Sequence, residues 1–254
     1  MTTSGVTRTS WSVSPPSSRT GPIAAALGPI VGVLYPPRCL LCGAALPGIA
    51  ILCDRCEERL PPLSGPRCSR CGESLEDPVA DLCVACGTRD RGFDAAHALG
   101  PYDSGWGDLV RALKFDRERA VARDLARRLA MELVAISGGR PPIDRITYVP
   151  MHRADRRARG FNQARLLARG VGRRLHVPVV RMVRKVRRTP PQAQLSARER
   201  RENLRGAFRL IQSGEGNVLL IDDIYTTGST LEECARTLKT GGARRVLVMT
   251  VARA

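Results

Sequence analysis

The chain has 254 residues, 43% of them hydrophobic but only 4% aromatic, so a sizeable core is within reach and must be aliphatic. Its formal charge is +17, an excess that favours polyanionic partners such as nucleic acid, an acidic membrane surface or a phosphorylated small ligand. Nine cysteines do not make it a secreted disulfide protein, because eight of them fall into close pairs and disulfide scaffolds are shorter chains.

Residues 1–21 are rich in Ser, Thr and Pro, show no periodicity and read as a disordered tail. Pro22–Leu34 is an apolar lead-in interrupted by Gly28, Pro29 and Gly32, too short and too broken to span a bilayer. Tyr35, Pro36 and Pro37 follow it, where a signal peptide would carry small residues. The protein is therefore expected to be cytoplasmic and not an integral membrane protein. From Pro36 to about Gly92 the chain is dominated by Cys, Gly, Pro and charge, and such a stretch needs a staple other than a hydrophobic core.

That staple is legible in four CxxC pairs: Cys39/Cys42, Cys53/Cys56, Cys68/Cys71 and Cys83/Cys86. Two pairs supply four thiolates, which is what a tetrahedral Zn²⁺ takes, so eight imply two zinc ions. Gly43, Gly72 and Gly87 directly follow the second cysteine of three pairs, where a positive φ would let backbone amides point at sulfur. Sequential pairing and an interleaved cross-brace would use the same eight residues. Redox CxxC pairs are the rival reading, disfavoured by four such pairs at regular spacing. Cys234 stands alone and reads as a buried thiol. Residues 22–92 are thus expected to form the apolar lead-in and a double zinc-ribbon domain.

Beyond Gly92 the patterning changes. Asp94–Tyr102 reads as a strand. Ser104–Phe115 reads as a helix with Trp106, Leu109, Val110 and Leu113 on one side. Asp116–Ile136 reads as a longer helix carrying Val121, Leu125, Leu129 and Leu133 at steps of four. Strands are expected at Arg145–Val149, Pro178–Val183, Val218–Ile221 and Arg245–Val251, helices at Phe161–Leu175 and Ser229–Thr240, and a loop at Thr189–Arg200. Strands alternating with helices predict an α/β fold with a parallel sheet. Arg140–Arg209 holds twenty Lys or Arg against four acids, nearly the whole charge excess. Within it Arg156, Arg157, Arg159, Arg187 and Arg188 are candidates for nucleic-acid phosphates, in binding that would depend on backbone contacts and salt, since stacking aromatics are few.

The strongest chemical signal is the run Val218–Thr230. A buried strand delivers Asp222 and Asp223 to its carboxyl edge, where ligands bind in open α/β sheets. The hydroxyl-rich turn Thr226, Thr227, Gly228, Ser229, Thr230 then enters a helix, and amides at a helix N-terminus hold anions. Carboxylates for sugar hydroxyls and a phosphate cradle thus sit in one motif.

This run resembles the PRPP signature of type I phosphoribosyltransferases. The resemblance implies that Asp222 and Asp223 take the ribose hydroxyls with Mg²⁺ nearby, and that Thr226–Thr230 cradle the 5′-phosphate. It also implies a pyrophosphate loop at Met151, His152 and Arg153, directly after a strand. The chain as a whole, from about Tyr35 to Ala252, resembles the ComF family of competence-associated proteins, on the CxxC ribbons, Leu113-Lys114-Phe115, the string Arg159-Gly160-Phe161-Asn162-Gln163-Ala164, Gln194-Leu195-Ser196, Arg200-Arg201-Glu202-Asn203-Leu204, Gly206-Ala207-Phe208 and Ile221-Asp222-Asp223. What that implies is a type I phosphoribosyltransferase-like domain over 93–254, a PRPP-dependent transferase of unspecified acceptor, and a link to uptake or processing of single-stranded DNA in natural transformation. Single-stranded DNA and DNA-uptake machinery at the inner membrane face are the partners so implied; a nucleic-acid accessory regulated by PRPP and a zinc-ribbon scaffold are the alternatives. No hood segment for a base is legible outside the sheet, and the zinc module is expected in its place.

Overall fold

The computed structural model describes residues 37–48, 50–113, 118–189 and 197–254; the expected tail and the whole of the apolar lead-in Pro22–Leu34 lie outside these. The two ribbons contribute one short helical turn each, α1 (Asp54–Glu57) and α2 (Val84–Gly87). The chain then runs β1 (Ala95–Pro101), α3 (Gly105–Ala112), α4 (Glu118–Ile136), β2 (Arg145–Tyr148), α5 (Arg153–Arg159) and α6 (Gln163–Leu175). It continues through β3 (Val183–Lys185), α7 (Ala197–Leu204), β4 (Phe208–Leu210), β5 (Gly216–Ile221), β6 (Ile224–Tyr225), α8 (Ser229–Thr240) and β7 (Ala243–Arg253).

The main sheet has the order β1-β7-β5-β2, with every pairing parallel, and β6 joins β7 where β5 ends. Parallel strands buried on both faces read as continuous aliphatic runs, which is why Val218–Ile221 shows no alternation in polarity. Its side chains nevertheless alternate in direction. Leu219 and Ile221 pack with α3, α4 and α6 on one face, whereas Val218 and Leu220 pack with α8 on the other. The apolar stripe expected on α4 is buried throughout: Val121, Leu125, Leu129 and Leu133 are at most 2% exposed. Each such Leu contributes about 1.5–3 kcal/mol by leaving water.

Two expected segments take another form, and α5, β4 and β6 stand where no element was expected. Only Val179 of Pro178–Val183 bridges to the main sheet, at Ile146, and Val183 instead begins the antiparallel ribbon β3–β4. The expected loop Thr189–Arg200 is helical from Ala197 onward, and residues 190–196 fall outside the described residues. The segment standing outside the sheet beside the Met151–Arg153 loop is the β3–β4 ribbon, whose Arg184, Lys185 and Arg209 share a cavity with that loop. Among the described residues no helix is long and apolar enough to cross a membrane.

Candidate phosphate site and zinc centres

The eight paired cysteines form two groups, Cys39/Cys42/Cys53/Cys56 and Cys68/Cys71/Cys83/Cys86, with all sulfurs of a group within 4.8 Å of one another. Pairing is therefore sequential, and the interleaved arrangement is excluded. Cys42 and Cys53 sulfurs are 3.6 Å apart, Cys71 and Cys83 sulfurs 3.7 Å. A tetrahedral Zn²⁺ with bonds near 2.3 Å spaces its sulfurs by about 3.8 Å, so both groups fit the ion. In each group the first pair closes on a glycine at positive φ, Gly43 (75°) and Gly72 (71°), as expected. The second pair closes instead in a helical turn, α1 or α2, so Gly87 is helical and needs no positive φ. Burial raises the Cys39 thiol, but the amides around Cys53, Cys42 and Leu41 outweigh it and bring the pKa down to about 6. Cys68 is brought down to about 6 in the same way, burial being outweighed by hydrogen bonds at Cys83, Cys71 and Arg70. Burial pushes Cys56 up to about 12 and raises Cys71 and Cys86. In each knot one cysteine is thus drawn toward the thiolate while a neighbouring one, Cys56 or Cys71, is held toward the thiol, the coupling expected of sulfurs packed closely enough to share one cation.

The phosphate-loop candidates converge at the carboxyl edge of the sheet. Asp222 follows β5 with its amide bonded to Met249 O, and Asp223 O accepts from the Val251 and Ala252 amides. These bonds fix the two acids where β5 gives way to β6. Burial pushes the Asp222 carboxyl well above the usual carboxylate range, and the adjacent Asp223 adds to the rise. Gly228 caps α8 at φ 78° and offers no side-chain cap, so the first amides of α8 keep their hydrogen-bonding capacity. A side chain at Gly228 would be strained by that φ and would also strike the Tyr225 hydroxyl, 2.5 Å from where its Cβ would lie. Thr227 and Ser229 hydroxyls stand 3.1 Å apart across the turn. Thr226 is exposed and Thr230 half-buried. Free amides, a positive helix end and hydroxyls facing one turn suit a phosphate.

The Met151–Arg153 loop follows the neighbouring strand, β2, which pairs with β5 up to Tyr148 and Ile221. Val149 N bonds to Ile221 O at 3.0 Å, and Asn162 Nδ2 donates to Val149 O at 3.0 Å. Asn162 also caps α6 by accepting from the Arg165 amide at 2.8 Å. Asn162 thus braces the loop from behind. His152 caps α5, its Nδ1 accepting from the Ala154 amide. Met151, His152 and Arg153 line a cavity of about 590 Å³ together with Arg181, Arg184, Lys185 and Arg209.

Of those last four residues the sequence reading singled out none. Lys185 is held low by burial, while the carboxylates of Asp155 and Asp222 act in the opposite sense, which ties it electrostatically to the phosphate site. The only local signal was the run Arg181-Met182-Val183-Arg184-Lys185, in which Met182 and Val183 are buried, Arg181 and Arg184 exposed and Lys185 half-buried. The candidate nucleic-acid residues divide. Arg156, Arg157 and Arg159 are exposed on α5, which buries nothing. Arg187 donates to the Asn203 and Arg205 carbonyls at the end of α7, and Arg188 pairs with Asp155. Cys234 is wholly buried with its thiol pushed up, an inert position.

Known proteins match this organisation. The family model for the double zinc ribbon domain covers residues 30–88, and that for the phosphoribosyl transferase domain covers 161–254. Competence protein F of Haemophilus influenzae is 33% identical over 210 residues, 80% of this chain and 90% of that protein. DNA utilization protein YhgH of Escherichia coli K12 is 33% identical over 228 residues, 86% of this chain and 97% of that protein. Competence protein ComFC of Bacillus subtilis is 37% identical over 91 residues, 35% of this chain and 36% of that protein. Two four-cysteine knots ahead of a parallel sheet, aligned over nearly the full length of such relatives, show that the chain belongs to the ComF family of competence proteins, with a double zinc ribbon and a phosphoribosyltransferase domain.

Proposed function

We propose that the chain binds PRPP at the carboxyl edge of its sheet and transfers the phosphoribosyl group to an acceptor, in a role linked to the handling of single-stranded DNA. The observation that supports this reading best is the Asp222–Thr230 run, which sets two carboxylates beside a helix N-terminus whose cap leaves its amides free. The acids suit ribose hydroxyls, which are donors. Thr226, Thr227, Gly228, Ser229 and Thr230 would take the 5′-phosphate, and Met151, His152 and Arg153 with the cationic cavity would take the pyrophosphate. Asp222 and Asp223 would also hold Mg²⁺, which supplies charge neutralisation of the leaving pyrophosphate when bound.

In the transfer the acceptor's lone pair forms a bond to ribose C1, the C1–oxygen bond breaks with its electrons passing to pyrophosphate, and the acceptor gives up a proton. This chain's contribution is positioning and electrostatics. Zinc would hold the ribbons as structural support, residues 22–92 forming one unit and 93–254 the other, in the cytoplasm.

A second reading, a nucleic-acid accessory that uses PRPP as a regulator, is favoured by the exposed cations Arg156, Arg157 and Arg159 on α5. The relatives named for competence and DNA utilization support a DNA role in either case. Calorimetry of Mg²⁺–PRPP against wild type and an Asp222→Ala/Asp223→Ala variant tests the site. Binding by wild type that the double variant loses is expected; no binding by zinc-loaded wild type sinks the PRPP reading. Product formation with candidate acceptors then separates transferase from accessory.

A further inference from the structure

We infer that the second four-cysteine centre, through Arg91 and Arg253, is a positioning element for the Asp222–Thr230 loop, and that the first centre is not. This rests on the phosphate-site reading above for its consequence but not for its structural content.

Two struts run from the second knot. In one, Arg91 Nε donates to Cys86 Sγ at 3.3 Å and Arg91 Nη1 pairs with Glu232 Oε1. Glu232 stands in the first turn of α8, its residue 1% exposed, and its own amide bonds to Gly228 O at 2.8 Å. A buried carboxylate in that turn is held only by its cations, and Arg89 adds a contact at 3.1 Å. The knot therefore reaches, in two side chains, the turn whose amides face the phosphate. Arginine on a ligating sulfur is also the kind of outer contact that orients a metal ligand.

The other strut starts from the same knot. Arg253 Nη1 donates to Cys71 O at 2.6 Å, and its guanidinium stacks 4.3 Å from the centroid of the Tyr225 ring while pairing with Glu73. Tyr225 lies within the loop itself, packed edge-on against Phe93. Its ring lies directly against Gly228, and its hydroxyl is buried with no hydrogen-bond partner among the described residues. Tyr225 is thus the floor of the phosphate turn, and Arg253 fixes that floor to the knot. The first knot has no comparable link among the described residues. Its contacts go to Trp106 through Pro61 and to Arg128 through Glu57, both on the α3–α4 face.

The test compares Arg91→Gln and Arg253→Gln with Arg128→Gln, which breaks the link of the first knot. Full-length, zinc-loaded proteins are assayed for zinc content, for hydrogen exchange in peptides spanning 222–238, and for Mg²⁺–PRPP affinity. Arg91→Gln and Arg253→Gln are expected to keep two zincs, to speed exchange across the loop and first turn of α8, and to weaken PRPP by roughly tenfold or more, the scale of a displaced contact set. Arg253→Lys, which keeps a cation over the ring, recovers part of the loss, and Arg128→Gln changes neither readout. Unchanged exchange and affinity in both Gln variants overturns the inference. If a variant sheds the second zinc, exchange still decides, since protection kept across 222–232 without that metal overturns it as well. Wild type that binds no PRPP while its loop exchange responds to Arg91→Gln sinks the PRPP reading and leaves the coupling standing.

Discussion

In the first knot Cys42 is exposed and Cys53 half-buried, whereas in the second Cys68, Cys71 and Cys86 are each at most 3% exposed. The two share a knuckle design, a glycine turn followed by a helical turn, and both pack into apolar cores, but they differ in how much buried charge is added to that packing. The first docks through apolar residues: Leu46, Leu52 and Leu60 join Trp106 and α4 in one core. The second also joins an apolar core, with Phe93, Tyr225 and Leu231 on the opposite face of the sheet, and adds buried charge through Arg91, Glu232 and Arg253. Repeated local structure thus carries two mechanical roles, and the neighbours decide which. Charge networks fix direction, because each bond has a partner and an angle, while an apolar dock fixes proximity.

Metal removal has the largest effect on this comparison, since a structural zinc is worth on the order of 10–16 kcal/mol in apparent folding energy. A chelator is expected to extract zinc in two phases. The fast phase belongs to the first knot, with its exposed ligand, and the slow phase to the second. Metal release followed on Cys42→Ser and Cys71→Ser proteins checks the assignment: the former lacks the fast phase and the latter the slow one. A single phase in wild type would mean the knots open together.

Trp106→Ala comes next. Trp106 is 5% exposed and gives its indole N–H to Pro61 O at 2.8 Å, across a face kept open by Gly100, where a Cβ would lie 2.0 Å from that nitrogen. Its truncation is expected to cost about 3–5 kcal/mol, read as a lower denaturant midpoint. PRPP affinity, measured where the variant is still folded, is expected to hold, because the lost dock belongs to the first knot. An affinity loss as large as that of Arg91→Gln would erase the distinction between the two regions.

The Asp222 carboxyl sharpens it from the site's side. Its folded pKa is raised by burial and by Asp223, so its favourable contribution exists at low pH and is lost as pH rises through the folded value. Above that value an ionised Asp222 destabilises the Mg²⁺-free, ligand-free fold. Asp222→Asn is expected to raise the melting temperature, on the scale of about 2–4 °C per kcal/mol for a chain of this size, while weakening PRPP. Wild-type PRPP affinity is expected to fall as pH drops through the raised value, at higher pH than an ordinary aspartate would give. A melting temperature lowered by Asp222→Asn would contradict this electrostatic account.

Much of this was legible in the sequence because its signals are local. CxxC spacing names the eight candidate ligands, though not how they pair, and the aliphatic run Val218–Ile221 with the acids after it defines a strand and the edge proposed as the site. The helical stripe of α4 and the site of the Met151–Arg153 loop were equally readable. What escaped was either short or distant. β3 and β4 have three residues each and carry outward arginines, so neither shows a strand pattern. α5 buries no residue and is started by a histidine cap, which leaves no apolar period to find. Arg91 and Glu232 are 141 positions apart, and nothing in either neighbourhood announces the other. Arg187, read as a phosphate contact from composition, gives its Nη2 to two carbonyls at the end of α7, a bond that its sequence neighbourhood does not announce.

The smallest effect on stability comes from the β3–β4 ribbon, and there the two kinds of readout part ways. Arg184 and Arg209 are direct cross-strand partners, an arrangement in which like charges repel. Both line the cationic cavity, and neither has a carboxylate at ion-pair distance among the described residues. Replacing both with Gln is expected to leave the fold unchanged or more stable by a few tenths of a kcal/mol. If single-stranded DNA runs along this face, the same change weakens its binding and lowers the salt slope by about 0.7 for each phosphate contact removed. Arg188→Gln is the comparison, because its exposed pair with Asp155 is worth about 0–1 kcal/mol and its cation is already partnered. Fluorescence anisotropy of a labelled oligonucleotide across a salt series reads both variants. A slope that drops for Arg184 and Arg209 but not for Arg188 puts the polyanion on the ribbon beside the phosphate site; equal slopes put it elsewhere, with the exposed arginines of α5 as the next surface to change.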